Sequence, residues 1–321
     1  MFAITATSFS PDDPLQGLTL GDHPDPDPPP GWTVVQVRAA SINHHDLWSL
    51  RGIGLREDQL PIVLGCDAAG VTEDGREVIV HSVISETDGD DDALTRSDFS
   101  ILSERYDGTF AERVAVPRRN LIDKPPDLSF AEAACLPTAY LTVYRALFTR
   151  GGLNPGGRVL VQGAGGGTST AAILLARAAG ARVYVTSRSA QKRDAARELG
   201  AHAALEAGER LPERVDLVLE SVGEATWEHS MKSVRAGGTV VVIGATTGTT
   251  PPAVLNHLFF RHLRVLGSTM GTRRELESLV RFLHVTGVRP LIDETFPLTD
   301  GDQALARLAA GDVFGKLVLT V

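Results

Sequence analysis

From Ser129 to Ser268 the sequence alternates between short apolar strands and helices, and no other feature restricts the fold as much. The strand segments "RVLVQG", "RVYVTS", "VDLVLESVG", "TVVVIGA" and "LRVLGS" are nearly unbroken runs of β-branched and aliphatic residues. Between them lie helical stretches such as "TAAILLARAA", "QKRDAARELG" and "ATWEHSMKSVRAGG". Strands without a polar face must be buried on both sides, and parallel neighbours need long crossover connections. A parallel sheet covered by helices on both faces is therefore predicted for residues 126–267. The segment "SFAEAACLPTAYLTVYRALF" leads into it as one helix, with Ser129 and Glu132 spaced as a capping box.

Residues 1–125 follow a different pattern of short β segments divided by turns. "TVVQVRAASIN" is a strand entered through "HPDPDPPPG", whose prolines exclude a central strand; "GREVIV" and "AERVAVP" are further strands. Beyond residue 268 come the helices "RRELESLVRFLHVTG" and "DGDQALARLAAG". The strands "LIDETFPL" and "FGKLVLTV" have no place in a doubly wound sheet and are assigned to the first domain. The expected class is α/β: a mostly-β domain over 1–125, completed by 268–321, and a Rossmann-type doubly wound domain over 126–267. A chain of 321 residues suits two such cores.

The net charge of −9 is spread along the chain, with an excess in "ETDGDDDALTRSD", read as a solvated excursion; no nucleic-acid partner is expected. Cys66 and Cys135 are too few for a disulfide framework or a four-cysteine zinc lobe, which fits a reducing compartment. The start "MFAITATSFSPDD" lacks a basic n-region and an apolar stretch, and no apolar run approaches about 20 residues. A cytoplasmic protein with no membrane partner is expected.

"VQGAGGGTSTAA" places a glycine turn between a strand and a helix. In a dinucleotide fingerprint the first glycine permits the tight turn and the second lets the backbone approach pyrophosphate; Gly163 and Gly165 retain both roles. Thr168 stands where the third glycine belongs, with Gly166 and Gly167 before it and a hydroxyl suited to capping the helix start. Such a turn can seat an anion at the helix N-terminus. A site for NAD would carry Asp or Glu at the end of the second strand, whereas Ser187, Arg188 and Lys192 offer donors to a 2′-phosphate, pointing to NADP(H). Arg188 and Lys192 as plain solvated side chains are the alternative. Ser221, Val222 and Gly223, together with Gly244 and Ala245, end later strands at the carboxyl edge, where such sheets bind ligands.

Taken together, "AASINHHDLWSLRG", "LGCDAAG", "GTFAERVAVP", "VQGAGGGTSTAA" and "FGKLVL" resemble the medium-chain dehydrogenase/reductase superfamily, in its zinc-lacking quinone-oxidoreductase-like and alcohol-dehydrogenase-like branches. The resemblance implies that residues 1–125 form a GroES-like catalytic domain. It also implies that Asn43 lines the nicotinamide pocket, that Thr142 lies near the carboxamide and that Lys316 lies near the cofactor. His45 falls where relatives keep a proton-relay residue; it is either a proton donor or a packed histidine. Where zinc-dependent relatives place metal ligands, this chain has Asn43, Cys66 and Thr138, so no catalytic zinc is expected. His44 and His45 are adjacent, with side chains diverging on a strand or turn and nothing nearby to complete a metal site.

The expected activity is zinc-independent, NADPH-dependent hydride transfer to a quinone, enone or other conjugated or reactive carbonyl. The alternatives are an alcohol or aldehyde dehydrogenase with an atypical metal site around Cys66 and Asp67, and an NADPH-binding regulator without turnover. The strand "LRVLGS" is expected at a sheet edge, where it invites pairing into a homodimer.

Overall fold

The computed structural model describes residues 1–85, 94 and 98–321, so the acidic stretch 86–98 lies outside the described residues except at Leu94 and Asp98. Two compact units emerge: Met1–Ala139 with Met270–Phe282 and Arg289–Val321, and Tyr140–Thr269 with Leu283–Val288. The first unit begins with β1 (Phe2–Ala6), β2 (Leu18–Asp22) and β3 (Trp32–Ser41), followed by α1 (His44–Leu50), β4 (Ile62–Val63), β5 (Asp67–Thr72) and β6 (Glu77–Val80). It continues with β7 (Val83–Ile84), β8 (Ser100–Ile101), β9 (Arg113–Pro117), β10 (Leu121–Asp123) and α2 (Phe130–Ala134). The long alternating strand β3 is the spine: it pairs antiparallel with β5, placing Ser41 opposite Asp67. Gly70 permits that approach, because a Cβ there would stand 2.1 Å from the Gln36 carbonyl oxygen.

The second unit contains α3 (Leu141–Tyr144), β11 (Arg158–Val161), α4 (Gly167–Ala178), β12 (Arg182–Thr186), α5 (Ala190–Glu198), β13 (Ala203–Leu205) and β14 (Val215–Glu220). It ends with α6 (Glu224–Ser233), β15 (Val234–Val242), α7 (Leu255–Phe260) and β16 (Arg264–Gly267). The six strands are all parallel, in the order β13-β12-β11-β14-β15-β16, as a doubly wound sheet requires. Val159, Leu160 and Val161 are almost wholly buried, as strands covered on both faces must be; each such side chain stabilises the fold by about 1.5–3 kcal/mol. Strand β16 is an edge strand, in the place expected of "LRVLGS".

The chain then adds α8 (Arg273–Thr286), β17 (Ile292–Pro297), α9 (Gly301–Ala310) and β18 (Lys316–Thr320). β17 pairs parallel with β18, and β18 antiparallel with β3, so these strands belong to the first sheet. The α/β class with a mostly-β domain and a doubly wound domain is therefore the observed one.

Two local expectations are corrected. The helix that opens at Ser129 has its capping box, with the Glu132 N–H donating to Ser129 Oγ at 3.2 Å and the Ser129 N–H to Glu132 Oε2 at 2.9 Å. It is not a uniform α-helix, however: Leu136–Tyr140 and Arg145–Arg150 are π-wound on either side of α3. Pro137 lacks the N–H for an i→i−4 bond and crowds that carbonyl, which favours the wider winding around it. The second departure is α6, expected to run through Gly238 but ending at Ser233; Val234 pairs with Val215 at the start of β15. The glycine pair 237–238 has poor helix propensity, and the sheet takes the segment instead.

Candidate active site

In the second unit the glycine turn has the backbone that its residues require. Gly163 and Gly165 adopt φ of 81° and 112°, in the region that side chains disfavour. A Cβ on Gly163 would lie 3.3 Å from Val222 Cγ2, so the bare backbone lets the 221–223 turn come close. Thr168 does not cap the helix, contrary to expectation: the cap position is Gly166, no side chain bonds there, and Thr168 sits inside the first turn. Thr170 Oγ1 instead donates back to the carbonyls of Gly166 and Gly167. With no side-chain cap, the first N–H groups of α4 are left for an anion.

Beneath this turn runs a buried polar network that the sequence reading missed. Thr186 Oγ1 donates to Gln162 Oε1 at 2.6 Å, and Gln162 Nε2 donates to Ser230 Oγ at 2.9 Å. Ser230 Oγ donates to Glu220 Oε2 at 2.5 Å. Glu220 Oε1 accepts from the Val222 and Gly223 N–H groups at 2.8 and 3.0 Å and from Thr226 Oγ1 at 2.8 Å. The ends of β11, β12 and β14 are thereby fixed to α6. Gly223 turns the chain at φ 92°, where a Cβ would meet the Gly248 carbonyl oxygen at 2.5 Å. Gly244 passes close to Ser221, with a virtual Cβ 3.2 Å from its carbonyl oxygen, and Ala245 follows beside Gly223.

At the end of β12, Ser187 is buried and its Oγ accepts from the Ser189 N–H at 3.2 Å. Arg188 is exposed, and the Lys192 N–H is capped by Ser189 Oγ. Arg193, also missed, donates to the Ser187 carbonyl at 2.7 Å and holds this turn in place. Thr142 is buried on α3, which packs against α4.

The first unit brings Asn43, His45 and Lys316 together around Asp67. That carboxylate, wholly buried, accepts from Ser41 Oγ and Asn43 Nδ2, both at 2.8 Å, from Thr138 Oγ1 at 2.6 Å and from Ser82 Oγ at 3.3 Å. Strand β18 carries Lys316 alongside β3, where its buried Nζ donates to the Ile42 carbonyl and to Asn43 Oδ1, each at 2.6 Å. Asn43 thus spends both ends of its amide, one on Lys316 and one on Asp67. Thr138 has given its proton to Asp67, so the Cys66 thiol donates to Thr138 Oγ1 at 3.4 Å. Zinc does not fit this donor set: the residues at the relatives' ligand positions are an amide and a hydroxyl already committed within a closed hydrogen-bond network, with one thiol.

Two residues along, the picture changes. His45 and Asp46 lie in the first turn of α1, not on a strand, and one ligand atom from each of His45, Asp46 and Cys66 comes within 4.8 Å of the others. The expectation that nothing nearby completes a metal site is corrected. Residue adjacency misled it, because a helix start and the β3–β5 pairing converge here. His45 Nε2 faces Glu104 Oε1 at 3.2 Å, whereas His45 Nδ1 and Asp46 Oδ1 are buried without partners. Asp46 Oδ2 accepts the Asn43 N–H at 2.7 Å.

Burial pushes the Asp46 carboxyl up to about 6, and burial with the nearby carboxylates drives the Cys66 thiol well above its usual range. For His45, burial pulls downward, but the Glu104 hydrogen bond and the carboxylates of Asp46, Glu104 and Asp67 outweigh it and raise the imidazole. Glu104, 59 residues away in sequence, left no signal that could have linked it to His45.

Comparison with known proteins adds the following. Residues 29–126 match the alcohol dehydrogenase GroES-like domain, and residues 167–284 match the zinc-binding dehydrogenase family. A zinc-type alcohol dehydrogenase-like protein of Schizosaccharomyces pombe is 31% identical, covering 91% of this chain and 91% of its own. An acryloyl-coenzyme A reductase of Metallosphaera sedula is 30% identical over 95% of this chain and 97% of its own. A solved NAD-dependent alcohol dehydrogenase superposes with a TM-score of 0.89 at 32% identity over 100% of both chains.

Proposed function

The chain belongs to the medium-chain dehydrogenase/reductase superfamily of oxidoreductases, and from that premise we propose that it transfers hydride from NADPH to a conjugated acceptor without zinc. The acceptor class comprises quinones, enones and, by analogy with the acryloyl-coenzyme A reductase, enoyl thioesters. The observation that carries this reading is the closed Asn43–Lys316–Asp67–Thr138 network where zinc-dependent relatives hold metal. A saturated ketone needs a Lewis acid to polarise its oxygen, whereas conjugation lets the substrate polarise itself.

NADPH supplies the hydride when bound. The uncapped start of α4, with Gly163, Gly165, Gly166, Gly167 and Thr168, receives the pyrophosphate; Ser187, Arg188 and Lys192 receive the 2′-phosphate. The related alcohol dehydrogenase is NAD-dependent by name, but no carboxylate ends β12 in this chain, which supports NADP(H). Thr142, Ser221, Val222, Gly223, Gly244 and Ala245 surround the nicotinamide end. Lys316 fixes the Asn43 amide so that its face, rather than a metal, flanks the reacting carbonyl. His45, oriented by Glu104, hands a proton to the enolate or hydroquinone anion that hydride addition creates.

We divide the catalytic and cofactor domains at 1–125 with 268–321 and at 126–267. The protein is assigned to the cytoplasm, in keeping with two free buried cysteines; no described helix is long and apolar enough to cross a membrane. A homodimer is proposed through β16, an edge strand that follows α7 in the chain, with the exposed Leu255, Phe259 and Phe260 of α7 contributing apolar surface.

The test is NADPH oxidation by chelator-treated protein with a benzoquinone, a short enal, an enoyl-coenzyme A and a saturated ketone as acceptors. Turnover of a conjugated acceptor, undiminished by chelation, is expected. Activity that disappears with the metal and returns with zinc rejects the mechanism.

A further inference from the structure

The relatives' metal position is closed in this chain, yet His45, Asp46 and Cys66 present a different trio of donors beside it. Their ligand atoms lie within 4.8 Å of one another. Zinc with bonds of about 2.0–2.3 Å sets tetrahedral donors about 3.3–3.8 Å apart, so closure needs movements of about 1 Å. Two independent features point to a ligand. Asp46 is wholly buried, yet its Oδ1 has no hydrogen-bond partner, and His45 Nδ1 is likewise buried and unpartnered. Polar atoms left in that state are costly, and in native proteins they generally mark a missing partner. The other imidazole nitrogen is held by Glu104 at 3.2 Å, the carboxylate–histidine arrangement that commonly orients a metal-ligating imidazole.

The surroundings favour a cation as well. The carboxylates of Asp46, Asp67 and Glu104 all act on His45, and Cys66 adds a thiol, whereas Lys316, bonded to the Ile42 carbonyl and Asn43 Oδ1, is the basic side chain whose charge reaches Asp46. A thiol, an imidazole and a carboxylate together suit a soft or borderline ion rather than magnesium or calcium.

We propose that His45, Asp46 and Cys66 form a binding site for a soft divalent cation, zinc foremost, and that filling it takes His45 out of the reaction. Binding displaces both the Cys66 thiol proton and the proton of the ligated His45 nitrogen to solvent, so that nitrogen has none to hand on. Zinc is then an inhibitor of this enzyme instead of its cofactor. The second half of the proposal rests on the proton-donor reading of His45; the binding site does not.

Cobalt(II) titration of chelator-treated full-length protein tests it, with thiolate-to-cobalt charge-transfer absorption as the readout alongside NADPH oxidation. The expected result is a band saturating at one cobalt per chain, kept in Cys135→Ser and lost in Cys66→Ser and Cys66→Ala. The conjugated-acceptor rate should fall about a hundredfold or more as zinc fills the site, the usual worth of a general acid. His45→Gln should weaken the band and remove the zinc sensitivity of whatever rate remains. Absence of the band in the wild-type protein overturns the site, whether or not the chelated enzyme turns over. A band accompanied by a rising rate keeps the site but overturns both inhibition and the zinc-free mechanism.

Discussion

Replacing Glu220 tests how the cofactor turn is held. In Glu220→Ala the N–H groups of Val222 and Gly223 and the hydroxyl of Ser230 lose their acceptor, while Thr226 keeps a fallback in the Gly223 carbonyl at 3.3 Å. Two buried donors and one half-buried one, at about 1–3 kcal/mol each and offset by removal of a buried charge, give a net loss of about 3–5 kcal/mol. In Glu220→Gln the remaining oxygen still serves both backbone donors. The amide nitrogen, however, faces Ser230 Oγ, which already accepts from Gln162 Nε2, so one hydroxyl proton is stranded. That costs about 1–2 kcal/mol.

At ~3 °C per kcal/mol the melting of the cofactor-binding unit drops roughly 9–15 °C for Ala and roughly 3–6 °C for Gln. Trp227 on α6 reports this directly in a Trp32→Phe, Trp48→Phe background. NADPH affinity should weaken about tenfold or more in Ala, equivalent to about 1.4 kcal/mol, and much less in Gln. Equal losses in the two variants, or an Ala variant within about 1 kcal/mol of wild type, would refute the argument that this carboxylate holds the turn.

Three further outcomes are expected. Arg188→Glu should weaken NADPH far more than NADH; equal losses would mean that the 2′-phosphate is held elsewhere. Tyr184 and Arg158 hold the Glu213 carboxyl down at about 2, from an ordinary 4.5. Its contribution to stability is therefore full above about pH 4.5 and lost as pH falls towards 2, so urea midpoints of wild type and Glu213→Gln should converge across that window; a constant gap contradicts the assignment. Phe260→Asp, at the most exposed apolar side chain of α7, should convert the proposed dimer to monomer in light scattering, and an unchanged mass moves the interface away from β16.

The sequence disclosed what local pattern controls and concealed what register and winding control. Alternating apolar strands and helices disclosed the six-stranded parallel sheet, and the paired signals at Ser129 and Glu132 disclosed a helix start. The glycine turn was legible because Gly163 and Gly165 must take up left-handed backbone whatever surrounds them. Thr168 was misread because a hydroxyl near a helix start resembles a cap until the first turn is placed. Gln162, Glu220 and Ser230 carry no signal in the sequence; the parallel pairing of β11 with β14 and the packing of α6 on that sheet make them neighbours. The His45–Asp46–Cys66 convergence depends on the long-range register that sets Ser41 against Asp67, and no spacing rule conveys that.

The wide winding around Pro137 has an implication for comparing this chain with others. A π-wound turn accommodates one more residue than an α-turn at nearly the same total rotation, so deleting one position from Leu136–Tyr140 would let the segment rewind as α-helix and leave Leu141–Tyr144 facing as they do now. Thr142 would keep its buried bearing although the chain before it had lost a residue. In homologous chains, then, a one-residue gap in this stretch is compatible with the same side chain occupying the position of Thr142.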